Sequence, residues 1–267
     1  MRLIAHLSDL HFGREDPRAL AELAHDLAAL RPDLIAVSGD LTQRARTAEF
    51  AAAHAFLASL RRPLVVVPGN HDLPLFAFWR RVSGPFAGFR RHFGDERLPA
   101  HVDDEIAVLG VVTPHAALWK RGRLAAPQLA RLAARFAATP SDRLRVVVAH
   151  HPLVGGEDPC GERAHGASDA LISLQASAVD VVLSGHQHRS WSGGSDLHRP
   201  APGERAMVMV HAGTAVSDRL RHEGNAYNVL RCEGHRLAVC VRALRGDGFA
   251  EIGSSEFQRT PGGWVSL

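Results

Sequence analysis

Short apolar runs alternate with helical patterns along the first part of the chain, and this alternation constrains the fold more than any other feature. The runs RLIAHL at 2–7, DLIAVS at 33–38 and PLVVVP at 63–68 have the length and composition of buried strands. Between them, apolar residues recur every three or four positions, as on one face of a helix. This strand-helix-strand order predicts parallel strands joined by helical crossovers.

Further along the chain the helical pattern stops while the strand pattern continues. Strands are predicted at IAVLGVV, LRVVVAHHP and VDVVLSGHQH. Helices are predicted near Pro127 and over about 167–178. After residue 206, three segments predict antiparallel strands joined by turns: AMVMVHAGTA, AYNVLRC and RLAVCVRAL. This order of elements places the chain in the α/β class.

Two segments depart from these patterns. Residues 74–105 carry aromatic and arginine side chains without a clear period, and we expect a helical cap there. Residues from about 245 onward are expected to form an extended surface tail. Because neither repeats nor linkers rich in proline, glycine or serine divide the sequence, residues 1–267 are expected to form a single domain.

The composition argues against several classes of protein. With 267 residues, 46% hydrophobic and 22% charged, the chain can bury a core and is typical of globular proteins. Arginines are spread along it, so no nucleic-acid stripe is expected, although a net charge of +3 could help attract an anionic small molecule. The sequence has no apolar run of membrane-spanning length. His6 and Asp9 interrupt the N-terminal run where a signal peptide would continue, so the cytoplasm is the expected location.

The cysteine pattern does not indicate a disulfide framework. The three cysteines, Cys160, Cys232 and Cys240, are odd in number and widely spaced. Cys232 and Cys240 fall on neighbouring strands of a predicted hairpin, where position 232 should face about residue 237. The two thiols would then be out of register, and free thiols are expected.

Side chains that commonly bind metals follow five of the predicted strands. They stand in SDLH, SGD, PGNHD, HHP and SGHQH and are Asp9, His11, Asp40, Asn70, His71, Asp72, His150, His151, His186 and His188. Parallel sheets place ligands at the carboxyl ends of their strands, so these side chains are expected to meet. The pairs 9/11 and 186/188 would each point to one side of an extended chain. Gly39, Gly69 and Gly185 precede candidates and would allow close backbone approach.

The chemistry of this set indicates a metal site. Imidazole, carboxylate and amide ligands without thiolate suit zinc, manganese or iron. Seven candidates for direct coordination are too many for one ion with an open position, and they suit two ions that share a carboxylate. Taken singly, Asn70 could be a turn residue, His11 a buried corner histidine and Asp40 a loop residue. Their coincidence at five strand ends favours the metal site.

The ordered motifs DLH, GDLTQ, GNHD, HHP and GHQH resemble those of the calcineurin-like metallophosphoesterases. They most resemble the bacterial branch that contains cyclic-nucleotide phosphodiesterases and glycerophosphodiesterases. The motifs span residues 9–188. The resemblance implies a four-layer α/β/β/α sandwich, in which two mixed sheets pack face to face between outer helices.

The resemblance also implies how two ions are held. One ion is held by Asp9, His11 and His188, the other by Asn70, His150 and His186, and Asp40 bridges them. His150 is preferred to His151 because the family ligand stands two residues before the proline of its motif.

The implied reaction is hydrolysis of a phosphodiester, with phosphomonoesters as further candidates, by a metal-bound hydroxide. His71 is expected to be catalytic, either by protonating the leaving oxygen or by stabilising phosphate charge, and Asp72 to orient its ring. Asn70 supplies an oxygen without a negative charge and so keeps the centre attractive to phosphate. Arg219 and Arg221 could contact phosphate or be solvated.

Three other functions stay open at this point. A nuclease should carry a basic groove, and a pyrophosphatase acting on a nucleotide-linked lipid should carry an apolar insertion, for which residues 75–89 are the one candidate. A non-catalytic binding scaffold should have lost ligands, whereas this set is complete. The loop at 154–166 could border the substrate or only connect two strands. The substrate, the metals and the oligomeric state, a homodimer being one option, are left open.

Overall fold

The apolar runs form two sheets, and the structure, a computed structural model, describes residues 1–74, 79, 83–95, 98–118, 120–156, 162–195, 205–220 and 223–267. The strands are β1 (Arg2–Leu7), β2 (Leu34–Val37), β3 (Leu64–Val66), β4 (Ala100–Val102), β5 (Ile106–Val111), β6 (Leu144–Ala149), β7 (Val181–Ser184), β8 (Trp191–Gly194), β9 (Val208–His211), β10 (Ala226–Glu233), β11 (Arg236–Arg245), β12 (Gly248–Thr260) and β13 (Gly263–Ser266). The helices are α1 (Pro17–Leu30), α2 (Thr47–Ser59), α3 (Ala87–Phe93), α4 (Ala126–Ala137) and α5 (Ala167–Ala176).

Helix α1 shows how local sequence sets the ends of an element. The Asp16 side chain accepts hydrogen bonds from the first free backbone N–H groups, and Pro17 occupies a first-turn position where no donor is needed. At the other end, Arg31 adopts a left-handed conformation with φ 50° and ends the helix. The face that carries Leu23 and Leu27 is buried against the first sheet.

Both sheets mix parallel and antiparallel pairing. The first has the strand order β13-β12-β11-β10-β1-β2-β3, and the second has the order β4-β5-β6-β7-β9-β8. In the first sheet β1, β2 and β3 are parallel, and in the second β5, β6, β7 and β9 are parallel. The crossovers therefore bring the carboxyl ends of β1, β2 and β3 to one edge, and those of β6 and β7 to one edge of the other sheet.

Three apolar clusters divide the molecule into four layers. The central cluster lies between the sheets and contains Ile4 from β1 and Val146 from β6. A second cluster packs α1 and α2 on the first sheet, with Phe50 at 0% exposure. A third packs α4 and α5 on the second sheet. Burying a side chain such as Phe50 stabilises the fold by about 1.5–3 kcal/mol. The predicted α/β/β/α sandwich of two mixed sheets is confirmed.

The pairing of β9 differs in part from the sequence prediction. β9 is antiparallel to β8 but parallel to β7, so it belongs to the parallel part of the second sheet. The connection from β7 to β9 contains β8, and the sequence there has no helical period that would mark a crossover.

The predicted extended surface tail from about 245 is also corrected. β12 pairs with β11 and β13 pairs with β12, so this segment forms the edge of the first sheet. Trp264 on β13 is 1% exposed, and its indole Nε1 donates to Asp180 at 3.0 Å. Because β12 is rich in glycine and serine, its sequence lacks the alternation of apolar and polar residues that would predict a strand. Its backbone hydrogen bonds with the long strand β11 nevertheless hold it in the sheet.

The predicted helical cap over 74–105 falls only partly on described residues, since 75–78, 80–82 and 96–97 lie outside them. Within the described part, Ala87–Phe93 form the helix α3, whereas Ala100–Val102 form the strand β4, which pairs antiparallel with β5.

The predicted cysteine register is confirmed, because Cys232 faces Leu237 across the β10–β11 hairpin and both Cys232 and Cys240 are free. Cys160 lies outside the described residues.

Candidate metal centre

The five strand ends singled out in the sequence meet in the structure. The predicted ligands follow β1, β2, β3, β6 and β7, and they face each other across the junction of the two sheets. Their exposures are Asp9 0%, His11 0%, Asp40 1%, Asn70 9%, His150 0% and His188 3%, with a His186 side chain at 10%. Residues distant in the chain thus form one nearly buried polar cluster.

One half of the cluster is built by Asp9, His11 and His188. Asp9 Oδ1 lies 3.3 Å from His188 Nε2 and 3.6 Å from His11 Nε2. The His11 and His188 rings stack with centroids 5.1 Å apart. The candidate ligand atoms of all three lie within 4.8 Å of one another.

The other half contains Asn70, His150 and His186. Asn70 Oδ1 lies 3.0 Å from His150 Nε2, and the His150 and His186 rings meet edge to face at 5.1 Å. Asp40 reaches both halves, with Oδ2 3.8 Å from His11 Nε2 and Oδ1 3.4 Å from His150 Nε2. One carboxylate therefore presents an oxygen to each side.

The residues present fit a pair of cations. Asp9 Oδ1 and both ring nitrogens of His11 are buried without a hydrogen-bond partner among the described residues, and such orphaned polar groups are costly unless something else satisfies them. Ligand atoms about 2.1 Å from an ion lie roughly 3.0–3.4 Å apart, which resembles the spacings in both halves. This Asp/His cluster could hold a dinuclear metal centre.

The hydrogen bonds of His150 give independent support for a cation. Its Nδ1 contacts the Ser38 carbonyl at 2.7 Å, and because a carbonyl only accepts, Nδ1 carries the proton. In the neutral ring, Nε2 then presents a lone pair to Asn70 Oδ1 and Asp40 Oδ1. Three lone-pair donors that face one another repel unless a positive charge lies among them.

His151 is surrounded differently from its neighbour His150. Its Nδ1 contacts Thr113 Oγ1 at 2.8 Å and its Nε2 donates to the Lys120 carbonyl at 2.8 Å. Burial lowers the pKa of His151 well below its ordinary value, so the ring is neutral. Both nitrogens are engaged, and coordination would require breaking one of these bonds.

The ligand loops adopt a backbone conformation that the sequence analysis did not predict. Asp9, His11, Asp40, His186 and His188 have φ values of 52°, 46°, 51°, 71° and 56°. These values lie in the left-handed region, which is uncommon for residues other than glycine and costs about 1–3 kcal/mol each when imposed on a side chain. The 9/11 and 186/188 pairs therefore converge through tight left-handed turns, and the prediction that they do so through extended chain is wrong.

Two glycines make the close approach of these loops possible. A Cβ atom at Gly69 would lie 2.1 Å from Asp40 Oδ1, and one at Gly185 would lie 1.8 Å from Ser8 Oγ and 2.6 Å from Asp9 Oδ2. These separations are far below van der Waals contact. The predicted role of both glycines in backbone approach is confirmed.

The protonation states suit metal binding. Burial alone would raise the pKa of Asp9, but interaction with the His188 and His11 rings outweighs it and holds this pKa well below the usual range. Burial likewise opposes ionisation of Asp40, yet His150 and then His71 lower its pKa overall. The carboxylates are therefore ionised, as ligands must be.

Asp72 does not orient His71, which corrects the expectation from the sequence. Its carboxylate accepts from the backbone N–H groups of Leu41, Thr42 and Gly69 at 2.8–3.1 Å and from the Thr42 hydroxyl at 2.8 Å. Burial, and then the charge of Asp40, raise the pKa of Asp72 to about 7. Asp72 thus holds the loop after Asp40 in place.

The His71 ring is oriented instead by Gln43, whose carbonyl oxygen lies 3.0 Å from Nδ1. Its other nitrogen, Nε2, lies 3.1 Å from Arg219 Nη1, and its backbone N–H donates to Asp40 Oδ1 at 2.8 Å. Burial lowers the pKa of His71. Arg14 pairs with Asp218 at 2.9 Å, and Arg221 lies outside the described residues.

Several supporting residues were missed from the sequence. The Thr214 hydroxyl contacts His188 Nδ1 at 2.7 Å, Ser8 Oγ donates to Asp9 Oδ2 at 2.7 Å, and Glu162 Oε2 lies 3.6 Å from His186 Nε2. Backbone carbonyls such as that of Ser38 leave no side-chain signal. The threonine of HAGT, directly after a strand, is the one feature that could have been noticed.

A four-layer α/β/β/α sandwich with a two-carboxylate, amide and polyhistidine cluster at its strand ends defines a class, the metal-dependent phosphoesterases. The family model described as calcineurin-like phosphoesterase matches residues 2–190. This protein belongs to that family, and the motif resemblance is confirmed.

The chain is similar to curated phosphodiesterases. A glycerophosphodiester phosphodiesterase, GpdQ, from Enterobacter lignolyticus is 30% identical over 202 residues, which cover 70% of each chain. The 3',5'-cyclic adenosine monophosphate phosphodiesterase CpdA of Escherichia coli K12 is 30% identical over 229 residues, 79% of each chain. Both relatives cleave phosphodiesters, as their names state.

Solved structures agree on the fold. A dimetal phosphatase from Danio rerio superposes with a TM-score of 0.69 at 11% identity, covering 97% of this chain and 99% of that one. A purple acid phosphatase from yellow lupin seeds gives 0.66 at 12% identity, covering 94% of this chain and 52% of that one. Within the described ranges, every helix is too short or too polar to cross a lipid bilayer.

Proposed function

We propose that this protein hydrolyses small phosphodiesters at a centre of two divalent metal ions. One observation carries the proposal: all seven predicted ligand side chains converge on a single, nearly buried cluster in a member of the calcineurin-like phosphoesterase family. The names of the relatives, which describe glycerophosphodiester and cyclic-nucleotide substrates, support a phosphodiester over other phosphoesters.

The ligand sets are proposed as follows. Asp9, His11 and His188 would hold one ion, Asn70, His150 and His186 would hold the other, and Asp40 would contribute a ligand to both. The distances within each half, and the position of Asp40 with one oxygen toward each half, support this division. Nitrogen and oxygen ligands without thiolate favour manganese, iron or zinc.

When bound, the ions would supply Lewis-acid charge for the phosphoryl oxygens and lower the pKa of water toward neutrality. The chain's own residues prepare the site for this chemistry. Ser38 and Thr214 fix the His150 and His188 rings, while the left-handed turns hold the carboxylates in the cluster. Outer hydrogen-bond partners of this kind orient ligands and raise their basicity.

His71 is proposed as the catalytic side chain that acts on the phosphoryl group. Its backbone N–H is bonded to the bridging candidate Asp40, and its ring lies 4.8 Å from the His11 ring. Asp72 is proposed as a positioning residue, since its carboxylate organises the loop around Asp40 and Thr42. A reducing, cytoplasmic compartment is proposed from the free Cys232 and Cys240.

The test is metal loading followed by a substrate screen. Purified protein is reconstituted with manganese, the bound metal is quantified, and hydrolysis is measured for cyclic nucleotides, glycerophosphodiesters, bis(p-nitrophenyl) phosphate, p-nitrophenyl phosphate, nucleic acid and nucleotide-linked lipid. We expect two ions per chain and the highest kcat/KM on a small phosphodiester.

The control variants separate a site effect from a general histidine effect. His186→Ala should lose one ion and most activity, whereas His235→Ala, at an exposed turn, should retain both. A protein that binds at most one ion, or hydrolyses none of the panel, would refute the proposed function. Cleavage confined to nucleic acid or lipid pyrophosphate would replace the substrate class.

A further inference from the structure

Residues 120–123, with the sequence KRGR, form a basic segment to which the proposed function assigns no role. Lys120, Arg121 and Arg123 are exposed, so the basic segment places three positive charges at the surface within four positions. Clustered charges of one sign raise the local concentration of oppositely charged ligands. The position of the basic segment relative to the metal centre decides which anion these charges can reach.

His151 holds the basic segment against the metal centre. Its Nε2 donates to the Lys120 carbonyl at 2.8 Å, and its ring centroid lies 4.7 Å from that of the candidate ligand His186. The His151 ring also packs against Gly122, where a Cβ atom would lie 2.3 Å from the ring carbon Cγ. One imidazole therefore contacts both the backbone of the basic segment and a candidate ligand.

The basic segment also pairs with the end of the loop at 154–166. The His165 N–H donates to the Gly122 carbonyl at 2.8 Å, and the Leu124 N–H donates to the His165 carbonyl at 3.0 Å. These backbone hydrogen bonds join the two segments, so that neither can shift without the other.

This loop is in turn bonded to two of the motifs that carry candidate ligands. The Ala164 N–H donates to the carbonyl of Pro152, in HHP, at 2.9 Å, and the side chain of Gln187, in GHQH, donates to the Glu162 carbonyl at 3.4 Å. The Glu162 carboxylate lies 3.6 Å from His186 Nε2. The paired segments therefore border the half of the metal centre that contains His186.

A polar cavity of about 400 Å³ lies between these segments. Arg121 and Arg163 line it together with Glu162. The contact with His186, and then the charges of Arg121 and Lys120, lower the pKa of Glu162 against the opposing effect of burial. The positive charges thus lie close enough to act on a carboxylate that contacts a candidate metal ligand.

The charges around this cavity favour an anion. Among the described residues, its lining and the basic segment carry four cations and two carboxylates, namely Lys120, Arg121, Arg123, Arg163, Glu162 and Asp169. With the histidines neutral, two positive charges are in excess, and Glu162 is already paired with His186. A cavity of this size takes part of a small molecule.

We propose that this cavity is a subsite for a second anionic group of the substrate, a carboxylate or a phosphate distinct from the scissile phosphodiester, which Lys120 and Arg121 bind. His151 is the positioning residue, because it fixes the backbone of the basic segment. The inference rests on the phosphodiesterase function proposed above and narrows its substrate class to phosphodiesters with a further negative charge. The proposed roles of the metal ligands and of His71 are unchanged.

Three chromogenic diesters with the same leaving group test the subsite. They are the pentyl, 5-carboxypentyl and 5-aminopentyl esters of p-nitrophenyl phosphate, which differ in the charge at the end of the alkyl chain. For the manganese-loaded wild type, kcat/KM should be about three- to tenfold higher for the carboxypentyl than for the pentyl ester, mainly through KM, because each exposed ion pair contributes up to about fivefold. The aminopentyl ester should be the poorest. The preference should decline as salt rises from about 50 mM to about 500 mM.

The variants are compared by the ratio of kcat/KM for the carboxypentyl ester to that for the pentyl ester, so that a general loss of activity cancels. The double substitution Lys120→Gln/Arg121→Gln should bring this ratio to about one. Arg245→Gln removes a charge from an exposed position at the end of β11 and should leave the ratio at the wild-type value. Elemental analysis should find two manganese ions per chain in every variant.

Two substitutions of His151 test its positioning role. His151→Ala should lower the ratio, because the basic segment loses its hydrogen bond to the ring. His151→Gln keeps a donor for the Lys120 carbonyl and should restore part of the ratio. A purely structural role would lower kcat for both esters equally and leave the ratio unchanged, and that result would overturn the positioning role.

The outcomes separate this inference from the proposed function. Equal kcat/KM for the carboxypentyl and pentyl esters in the wild type, or a ratio that the double substitution does not change, would overturn the subsite while the phosphodiesterase function stands. The highest kcat/KM on the aminopentyl ester would assign the cavity to a cation held by Glu162 and would also overturn it. A wild type that takes up no metal and cleaves none of the three esters would overturn the proposed function together with this inference.

Discussion

His150 and His151 are adjacent in the chain, with ring centroids 4.8 Å apart, yet their ring nitrogens have different hydrogen-bond partners. His150 directs Nε2 toward the cluster, 3.4 Å from Asp40 Oδ1. His151 has both nitrogens bonded to groups outside it. The hydrogen bonds therefore distinguish two residues that the sequence motif alone places side by side.

This difference predicts distinct effects of two neighbouring substitutions. His150→Ala should lower the bound metal from two ions toward one, because it removes a nitrogen ligand. His151→Ala should keep two ions while lowering the free energy of unfolding, since it leaves a cavity and breaks two hydrogen bonds. Elemental analysis after dialysis and urea unfolding of both variants check the prediction, and metal loss in His151→Ala alone would reverse the assignment.

The close packing around Gly185 predicts different effects of two glycine-to-alanine substitutions. A methyl group there would meet Ser8 Oγ at 1.8 Å and Asp9 Oδ2 at 2.6 Å, whereas one at Gly224 meets nothing within 4 Å among the described residues. Gly185→Ala should therefore displace the loop of Asp9 and reduce metal affinity by at least about tenfold. Gly224→Ala should leave metal affinity unchanged. Competitive titration with a chelator measures both, and equal affinities would show that the loops tolerate separation.

The neutral side chain of Asn70 predicts that a negative charge at this position would weaken phosphate binding. Asn70→Asp adds a negative charge to a cluster that already contains the Asp9 and Asp40 carboxylates. We expect both ions to be retained, because an aspartate also offers an oxygen ligand, and phosphate binding to weaken by about tenfold or more, since like charges repel in a buried site. Calorimetry with inorganic phosphate is the measurement, and unchanged affinity at full metal content would refute the explanation.

Much of the fold and of the candidate site could be predicted from the sequence. Strands such as β1 and β6 are short apolar runs, and the motif residues follow directly after them. The spacing of apolar residues therefore predicts the strands, and the strand ends predict where the ligands lie. The candidate ligands all lie at the carboxyl ends of strands. The sequence therefore predicts that Asp9 and His188 lie close together, although they are far apart in the chain.

Other features depend on contacts that leave no local signal. The left-handed turns at Asp9 and His188 follow from the packing of loops around glycines, and the sequence alone favoured extended chain. The partner of His71 is the backbone carbonyl of Gln43, which any residue type could supply. Asp72 follows His71 in the chain, which favours an interaction between the two side chains, but its carboxylate accepts hydrogen bonds from backbone N–H groups of another loop.

A cluster of charged side chains around the buried Asp180 holds the C-terminal segment in place. This cluster predicts how strongly the segment contributes to the free energy of unfolding. Asp180 is 0% exposed and accepts from the side chains of Arg205 at 2.6 Å and Trp264 at 3.0 Å, with Arg259 at 3.2 Å. Asp180→Asn would leave two arginines without their counter-ion and should lower the free energy of unfolding by about 3–5 kcal/mol. Asp142→Asn, whose side chain is 72% exposed, should cost less than about 1 kcal/mol. Urea unfolding compares them, and similar small losses would mean that β13 contributes little to stability.

Acid lability is predicted from His6, which is fully buried on β1, three residues before Asp9. Its Nε2 contacts Ser38 Oγ at 2.9 Å, and burial, with the nearby His211, lowers its pKa to about 3 from an ordinary 6.5. Between these two pH values the unfolded chain binds a proton that the folded chain does not. The free energy of unfolding should therefore fall as the pH drops below about 6.5, by up to about 1.4 kcal/mol per pH unit from this residue.

Urea unfolding of the metal-free wild type and of His6→Gln between pH 7.5 and pH 5 isolates this contribution. Above about pH 6.5 both states leave His6 neutral, so the difference in stability between the two proteins should be constant with pH. Below it the wild type should lose stability more steeply than His6→Gln, because glutamine does not titrate and the other buried histidines are common to both. Parallel curves down to pH 5 would mean that His6 becomes protonated in the folded protein at an ordinary pH, which its complete burial opposes.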